Sequence, residues 1–136
     1  MGIVTRCVLS GVFGVAGVLK LADMGQTQEA VAGYELLPEW AVWPGALLLP
    51  WAEIAGGIGL WVRCLRSGAR VWLGMLLGVF LAAIFSAWAK GLDISCGCFG
   101  GADVANYPWT VVRNLGLLGL VWADRVLSPP KTEALP

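Results

Sequence analysis

The stretch that decides the fold is VWLGMLLGVFLAAIFSAWA, Val71 to Ala89, which contains no charged residue. A bilayer hydrocarbon core about 30 Å thick is crossed by a helix of about 20 apolar residues, so this stretch predicts a membrane-spanning helix. The composition of the whole chain agrees with this prediction: 58% of the 136 residues are hydrophobic and 13% are charged. Soluble domains average about 45–50% apolar and 25% charged residues. The composition therefore predicts an integral membrane protein that has the lipid bilayer as its partner.

Working outward from this stretch, three further apolar segments have the length of a span. We predict spans at residues 4–23, 43–64, 70–89 and 108–126. The first is interpreted as a span and not as a secretory signal, because no small-x-small cleavage site follows it and Lys20 stands where one belongs. The fold class predicted is all-α, an integral membrane four-helix bundle.

Three segments lie outside the predicted spans. Residues 26–40 contain Gly33 and Pro38 and are predicted to form a surface connection with a short helix. Residues 90–107 are predicted to form a glycine-rich loop. The single membrane domain is predicted to cover residues 1–127, and residues 128–136 are predicted to form a polar tail.

The basic residues predict the orientation, because cytoplasmic connections carry an excess of Lys and Arg. On one side of the membrane the predicted bundle carries six basic residues: Arg6, Arg63, Arg66, Arg70, Arg125 and Lys131. The other face has Lys90 alone. Both termini are therefore predicted to be cytoplasmic, and the loop at 90–107 is predicted to face outward. Nine basic and nine acidic residues balance in the whole chain, so no nucleic-acid partner is expected.

The outward loop contains KGLDISCGCFGGAD, residues 90–103, with two cysteines one residue apart in a chain that has no histidine. Disulfides form and persist outside the cytoplasm. A Cys-Gly-Cys ring is strained, because residues i and i+2 reach the Cα separation of a disulfide only near full extension. Strained, exposed disulfides tend to be the labile or catalytic ones. We therefore predict Cys96 and Cys98 to be a redox pair, supported by the flexible Gly97 and by Phe99.

Other uses of these cysteines stay open at this point. Paired thiolates also capture soft metals such as Cu(I), although no His or Met stands beside them and no metal ligand is predicted. A disulfide that clamps so small a loop would remove little unfolded-state entropy. A third possibility is a non-catalytic assembly factor whose loop docks a partner. Cys7 and Cys64, near the predicted cytoplasmic ends of two spans, are either an inner redox pair or small buried hydrophobes.

Three ionisable residues fall inside predicted spans, namely Lys20, Glu53 and Arg113. Such residues are costly in a bilayer and are candidates for a functional site with a partner. We predict that they form a cluster under the cysteine loop, with Asn114 nearby. One interpretation is that positive charge there favours the thiolate form of a cysteine; the other is a polar tie between helices. The two are compatible.

Five segments resemble, in the right order, the MauE branch of the DoxX-like membrane proteins. They are GVLKLAD, VAGYELLP, LPWAEIAGGIGL, KGLDISCGCFG and VVRNLGLL. The CGCFG element after a third span is the most specific of them. The likeness covers nearly the whole chain.

This resemblance implies a four-helix protein of the bacterial inner membrane that acts in periplasmic disulfide formation or redox maturation beside a thioredoxin-like partner. The implied client is the disulfide-rich small subunit of methylamine dehydrogenase or a similar protein. Cys96 and Cys98 match the redox pair. Lys20, Glu53 and Arg113 with Asn114 match recurring polar positions. Four-helix disulfide-generating enzymes of the vitamin K epoxide reductase type suggest a membrane quinone as electron acceptor.

Overall fold

The computed structural model describes residues 2–92 and 107–127, and within these ranges the chain is helical with no strand. The helices are α1 (Gly2–Ala22), α2 (Met24–Gly33), α3 (Glu39–Gly59), α4 (Arg66–Lys90) and α5 (Tyr107–Leu127). The prediction of an all-α chain is thus confirmed for the described residues.

Three of these helices, α1, α3 and α4, are long and apolar enough to cross a membrane. Helix α5 has 21 residues, but it carries three charged side chains and is not among the three. A fourth span, the bundle of four spans and the orientation of the termini stay predictions.

The helix ends follow from local sequence. Asp23 separates α1 from α2 and caps α2, since its carboxylate accepts a hydrogen bond from the Gln26 backbone N–H at 3.0 Å. Helix α4 ends at Gly91, whose φ of +69° lies in the left-handed region that favours glycine. Pro44 and Pro50 lie inside α3 without ending it, as is tolerated where neighbouring helices absorb the disturbance.

The four long helices pack in a closed ring, in which α1 contacts α3 and α5, and α4 contacts the same two helices. The short α2 lies against α1 and α3. A buried apolar cluster from α1, α4, α5 and the end of α3 fills the interior: Leu9, Phe13, Leu60, Ala69, Leu73, Leu77 and Val121. All four long helices therefore contribute apolar side chains to one shared interior.

Long-range contacts fix the direction of each helix. Arg6 near the start of α1 and Arg70 near the start of α4 both contact Asp124 near the end of α5. Ser10 of α1 donates a hydrogen bond to the carbonyl of Gly57 near the end of α3 at 2.9 Å. We call this the arginine end, where α1 and α4 begin and α3 and α5 end. The opposite end borders residues 93–106.

The outer surface suits a bilayer. All eight tryptophans of the chain are exposed. Seven of them lie toward the two ends of the helices, at positions 40, 43, 88 and 109 on one side and 61, 72 and 122 on the other, while Trp51 lies between. Tryptophan is enriched where a membrane protein meets the headgroup region. The arrangement agrees with a protein that is embedded in lipid.

Close helix contact rests on fewer glycines than their spacing suggests. The spacing of Gly11, Gly14 and Gly17, and of Gly74 and Gly78, predicts close approach of helix backbones. A Cβ at Gly17 would lie 2.6 Å from Ile54 and 2.9 Å from the carbonyl oxygen of Pro50, but at the other four positions it would meet nothing within 4 Å. The prediction is therefore confirmed for Gly17, and the backbone of Gly14 also adjoins α3, since its nitrogen lies 4.0 Å from a Cβ placed at Gly57. No such neighbour is found for Gly11, Gly74 and Gly78. Two further glycines that allow close helix contact lie in α3, where Gly56 and Gly59 pack against side chains of α4.

We expect Gly17→Ala to lower the free energy of unfolding by about 1–3 kcal/mol, because the added methyl group clashes with the backbone of α3. Gly14→Ala is the matched control on the same helix, and it should be neutral or stabilising by up to about 1 kcal/mol through helix propensity. Unfolding of the purified protein in detergent, followed by circular dichroism, measures both. Equal stability of the two variants would contradict the close contact of Gly17 with Ile54 and Pro50 of α3.

Candidate functional site

The centre of the candidate site is a buried ion pair between α1 and α3. The Lys20 ammonium donates hydrogen bonds to both carboxylate oxygens of Glu53, at 2.6 and 2.8 Å. The two side chains are 4% and 2% exposed. Lys20 lies near the end of α1, and helical side chains point back toward the helix N-terminus. Its long stem therefore carries the charge inward from the helix end to Glu53.

The surroundings of the pair hold the lysine in place. Its ammonium nitrogen lies 5.5 Å from the centroid of the Phe80 ring on α4, within the range of a cation–π contact. The backbone carbonyl of Lys20 accepts a hydrogen bond at 3.0 Å from the hydroxyl of Thr27, which is on α2. The pair thus connects α1 and α3 directly and touches α4, while the lysine backbone is tied to α2.

Arg113 and Asn114 of α5 complete the site from the fourth long helix. Both line a small cavity whose wall also includes Glu53 and Phe80. The Asn114 amide is buried and donates a hydrogen bond to the carbonyl of Thr110 at 2.8 Å. The four polar residues singled out from the sequence thus gather in one region, where each of the four long helices contributes a side chain.

The polar site lies near the middle of the long helices, with Lys20 and Arg113 toward the end opposite the arginine end. Arg113 is six residues after the start of α5, which is about 9 Å along the helix. Phe80 is ten residues before the end of α4, or about 15 Å. These are the two helix ends that residues 93–106 connect. Cys96, Gly97, Cys98 and Phe99 fall in that segment and lie outside the described residues.

A second buried ionic cluster, at the arginine end, joins α1, α4 and α5. The carboxylate of Asp124 is fully buried and faces two guanidinium groups: its Oδ1 lies 3.2 Å from the Arg6 Nε, and its Oδ2 accepts a hydrogen bond from the Arg70 Nε at 2.7 Å. Arg6 and Arg70 are 9% and 5% exposed. One carboxylate therefore pairs with two buried guanidinium groups, and the cluster keeps an excess of one positive charge.

Sequence reasoning missed this cluster. The sequence pattern indicates only an orientation role for Arg6 and Arg70, and Asp124 is not among the residues that it singles out. The available signal was that Asp124 stands among the arginines as the one acidic residue that the structure describes at this end. The partners are 54 or more positions apart in the sequence, so only the packing of the helices brings them together.

Cys7 and Cys64 are both exposed and unbridged. The prediction that they are buried among the helices is therefore wrong, and their role as an inner redox pair or as small hydrophobes stays open. Cys7 lies on the outer face of α1, and Cys64 lies in the connection between α3 and α4.

In the described residues the chain is helical, three of its helices are able to span a membrane, and buried ion pairs connect the long helices. These are features of a multi-pass membrane protein. Comparison with known protein families identifies one of them. The family described as methylamine utilisation protein MauE matches residues 1–125 of the chain. The chain belongs to this family, as its sequence motifs predicted.

Relatives from several bacteria carry the same name, methylamine utilization protein MauE. The chain is 33% identical to the protein of Methylorubrum extorquens over 113 residues, which are 79% of this chain and 61% of the relative. It is 33% identical to that of Paracoccus versutus over 126 residues, 91% and 68% of the two chains. It is 35% identical to that of Paracoccus denitrificans over 131 residues, 95% and 70%. The chain thus spans 61 to 70% of the length of these relatives. No solved structure gives a significant match.

Proposed function

We propose that this chain is a thiol–disulfide redox protein that serves methylamine utilisation, with Cys96 and Cys98 as its redox pair. Its family and relatives are named for methylamine utilisation. In this proposal four helices span the bacterial inner membrane, both termini are cytoplasmic and the cysteine loop faces the periplasm. Periplasmic placement suits the chemistry, because disulfides persist there.

The observation that carries the proposal is the buried Lys20–Glu53 pair with Arg113 and Asn114 beside it. Ionisable groups inside a membrane protein are costly and are retained where they serve a function. Lys20 and Arg113 lie toward the helix ends away from the arginine end, on the side of the cysteine segment. Among the described residues the site holds two cations and one carboxylate, an excess of one positive charge. Such a charge favours a nearby thiolate over the thiol.

The proposed reaction is a pair of thiol–disulfide exchanges. A client thiolate attacks one sulfur of the Cys96–Cys98 disulfide, forms a mixed disulfide and releases the other cysteine as a thiolate. The second client thiolate then attacks the mixed disulfide, so the client gains a disulfide and the chain becomes a dithiol. Two electrons and two protons have moved to the chain. A thioredoxin-like protein in its disulfide form accepts them by the same steps in reverse.

The proposed client is the disulfide-rich small subunit of methylamine dehydrogenase or a similar periplasmic protein. This choice rests on the family and not on any feature of the described residues. It is therefore tested separately from the exchange chemistry, by supplying the client or a generic dithiol peptide to the same purified protein.

A quinone acceptor does not fit the polar site that the structure describes. The cavity beside Glu53 and Arg113 has a volume of about 20 Å³, which holds about one water molecule. A quinone ring is several times larger. The membrane quinone stays a prediction, and its site would have to lie elsewhere in the chain.

Cysteine trapping tests the proposal. In the Cys96→Ser and Cys98→Ser variants the remaining thiolate can attack the disulfide of the oxidised thioredoxin-like partner, and the chain then lacks the second cysteine that would resolve the mixed disulfide. One of the two variants should therefore accumulate a covalent adduct with the partner. The adduct is measured as a dithiothreitol-sensitive band on a non-reducing gel. Client oxidation should fall to background in both. Cys64→Ser is the matched control, because this exposed thiol lies at the arginine end, and it should retain full activity.

Two outcomes favour other functions. Absence of any adduct together with stoichiometric Cu(I) in the purified protein would overturn the redox proposal in favour of soft-metal binding. Full maturation of the client in the double Cys96→Ser, Cys98→Ser variant would identify a non-catalytic assembly factor.

A further inference from the structure

We propose that a groove between α4 and α5 at the arginine end binds the phosphate headgroup of an anionic phospholipid. The groove has a volume of about 260 Å³. Its polar wall is formed by Ser67, Arg70 and Arg125, and its apolar wall by Trp122 and three aliphatic side chains. Basic pockets between membrane helices are a recurring way to hold anionic lipid headgroups.

Charge at this end is strongly unbalanced. Arg66 interacts electrostatically with Arg6, Arg63 and Arg70, while Asp124 is the carboxylate among them. Arg125 adds a further exposed positive charge at the groove itself. In the part of the chain that the structure describes, one acid thus faces five arginines. An anion in the groove would offset this excess.

A buried hydrogen-bond donor beside the groove lacks an acceptor. Arg70 is 5% exposed, and its Nε is used by Asp124. Its Nη2 is buried and has no hydrogen-bond partner among the described residues. Leaving a buried donor unsatisfied is costly, particularly on a charged group. A phosphate oxygen is the acceptor that a guanidinium group binds best, since its planar donors match phosphate geometry.

The start of α4 adds a second attraction for an anion. Its N-cap residue is Leu65, which makes no side-chain hydrogen bond to the helix. The first backbone N–H groups of a helix have no intrahelical partner, and they carry the positive end of the helix dipole. Ser67 lies in this first turn and lines the groove. Helix N-termini of this kind bind phosphate groups in many proteins.

The apolar wall identifies the ligand as a lipid and not as free phosphate. Val71, Leu118 and Val121 continue the groove along α4 and α5 toward the middle of the helices. Trp122 is 69% exposed at the rim, as expected for a side chain at the headgroup level. A headgroup held by the arginines would thus place its acyl chains against aliphatic side chains.

The test compares lipids on the purified full chain in detergent micelles. Phosphatidylglycerol, phosphatidylcholine and inorganic phosphate are added separately, and lipid binding is measured by native mass spectrometry with thermal stability as a second readout. We expect phosphatidylglycerol to bind and stabilise the chain more than phosphatidylcholine does. Arg125→Gln should weaken phosphatidylglycerol binding about fivefold, as expected for one basic residue near a membrane surface.

Arg63→Gln is the matched control, because it removes the same charge from the same end at an exposed residue outside the groove. It should leave phosphatidylglycerol binding within about twofold of the wild type. Equal losses in Arg125→Gln and Arg63→Gln would overturn the proposal in favour of diffuse attraction. Equal stabilisation by inorganic phosphate and phosphatidylglycerol would also overturn it, since the groove would then be a free-anion site.

Discussion

Glu53→Leu is expected to lower the free energy of unfolding by about 3–5 kcal/mol, the range found when one partner of a buried ion pair is removed. The substitution strands the Lys20 ammonium, which is 5% exposed and donates hydrogen bonds to both Glu53 oxygens. The Phe80 ring, at 5.5 Å, compensates only a small part of this loss. Chemical or thermal unfolding in detergent, followed by circular dichroism, gives the value.

A double variant separates a missing charge partner from a missing side chain. Lys20→Met with Glu53→Leu replaces both charges with apolar groups of similar size, and such replacements are often neutral or stabilising. We expect the double variant to recover most of the stability that Glu53→Leu loses. If it is as unstable as the single variant, packing around Glu53, and not the charge pair, determines the stability of this region.

Arg113→Gln tests the proposed electrostatic role. It removes one positive charge from the polar site, whereas the double variant removes one charge of each sign and leaves the net charge there unchanged. The alkylation rate of Cys96 by iodoacetamide at neutral pH should therefore fall in Arg113→Gln, because a smaller fraction is thiolate, and stay near the wild-type rate in the double variant. An unchanged rate in a stable Arg113→Gln variant would leave the polar site with a structural role alone.

Asp124→Asn is expected to have an effect of comparable size, about 3–5 kcal/mol of unfolding free energy. Asp124 is the carboxylate between two buried guanidinium groups, and without its charge Arg6 and Arg70 repel each other in a place where water does not screen them. The three helices α1, α4 and α5 would lose their common ionic contact. Unfolding in detergent at constant salt measures the loss.

The matched control for Asp124→Asn is Glu29→Gln, which also neutralises one acid but at an exposed residue of α2. Surface substitutions of this kind usually change stability by less than about 0.5 kcal/mol. A similarly small effect of Asp124→Asn would show that the two arginines are accommodated by other groups.

The sequence predicted the Lys20–Glu53 contact because each residue is out of place by itself. A lysine and a glutamate inside apolar stretches both need a partner, and helix depth suggested that they could meet. Asp124 gave no such signal, because a charge three residues before the end of a helix is ordinary at a membrane surface. Its importance depends on which helices adjoin α5, and that is a property of the packing.

Glycine spacing also leaves open which helices lie next to each other. A run of glycines at three- and four-residue intervals marks a helix face that can approach another helix, but it does not say whether a neighbour is there. Among the glycines of α1, only Gly17 has its Cβ position closed off by another helix, since Ile54 and Pro50 occupy that space. The residue pattern thus predicted the helices well and their contact faces only in part, and the predicted redox cysteines lie outside the described residues.

The ionic contact at Asp124 has a consequence for biosynthesis. Helix α5 emerges from the ribosome after the other helices, and with Arg113, Asp124 and Arg125 it is the least suited of the long helices to enter lipid unaided. Arg6 and Arg70 belong to α1 and α4, which are synthesised before α5, so both arginines are present when Asp124 is synthesised. If α5 is the fourth span of the proposed topology, its integration is thereby coupled to correct placement of α1 and α4, which carry the two arginines.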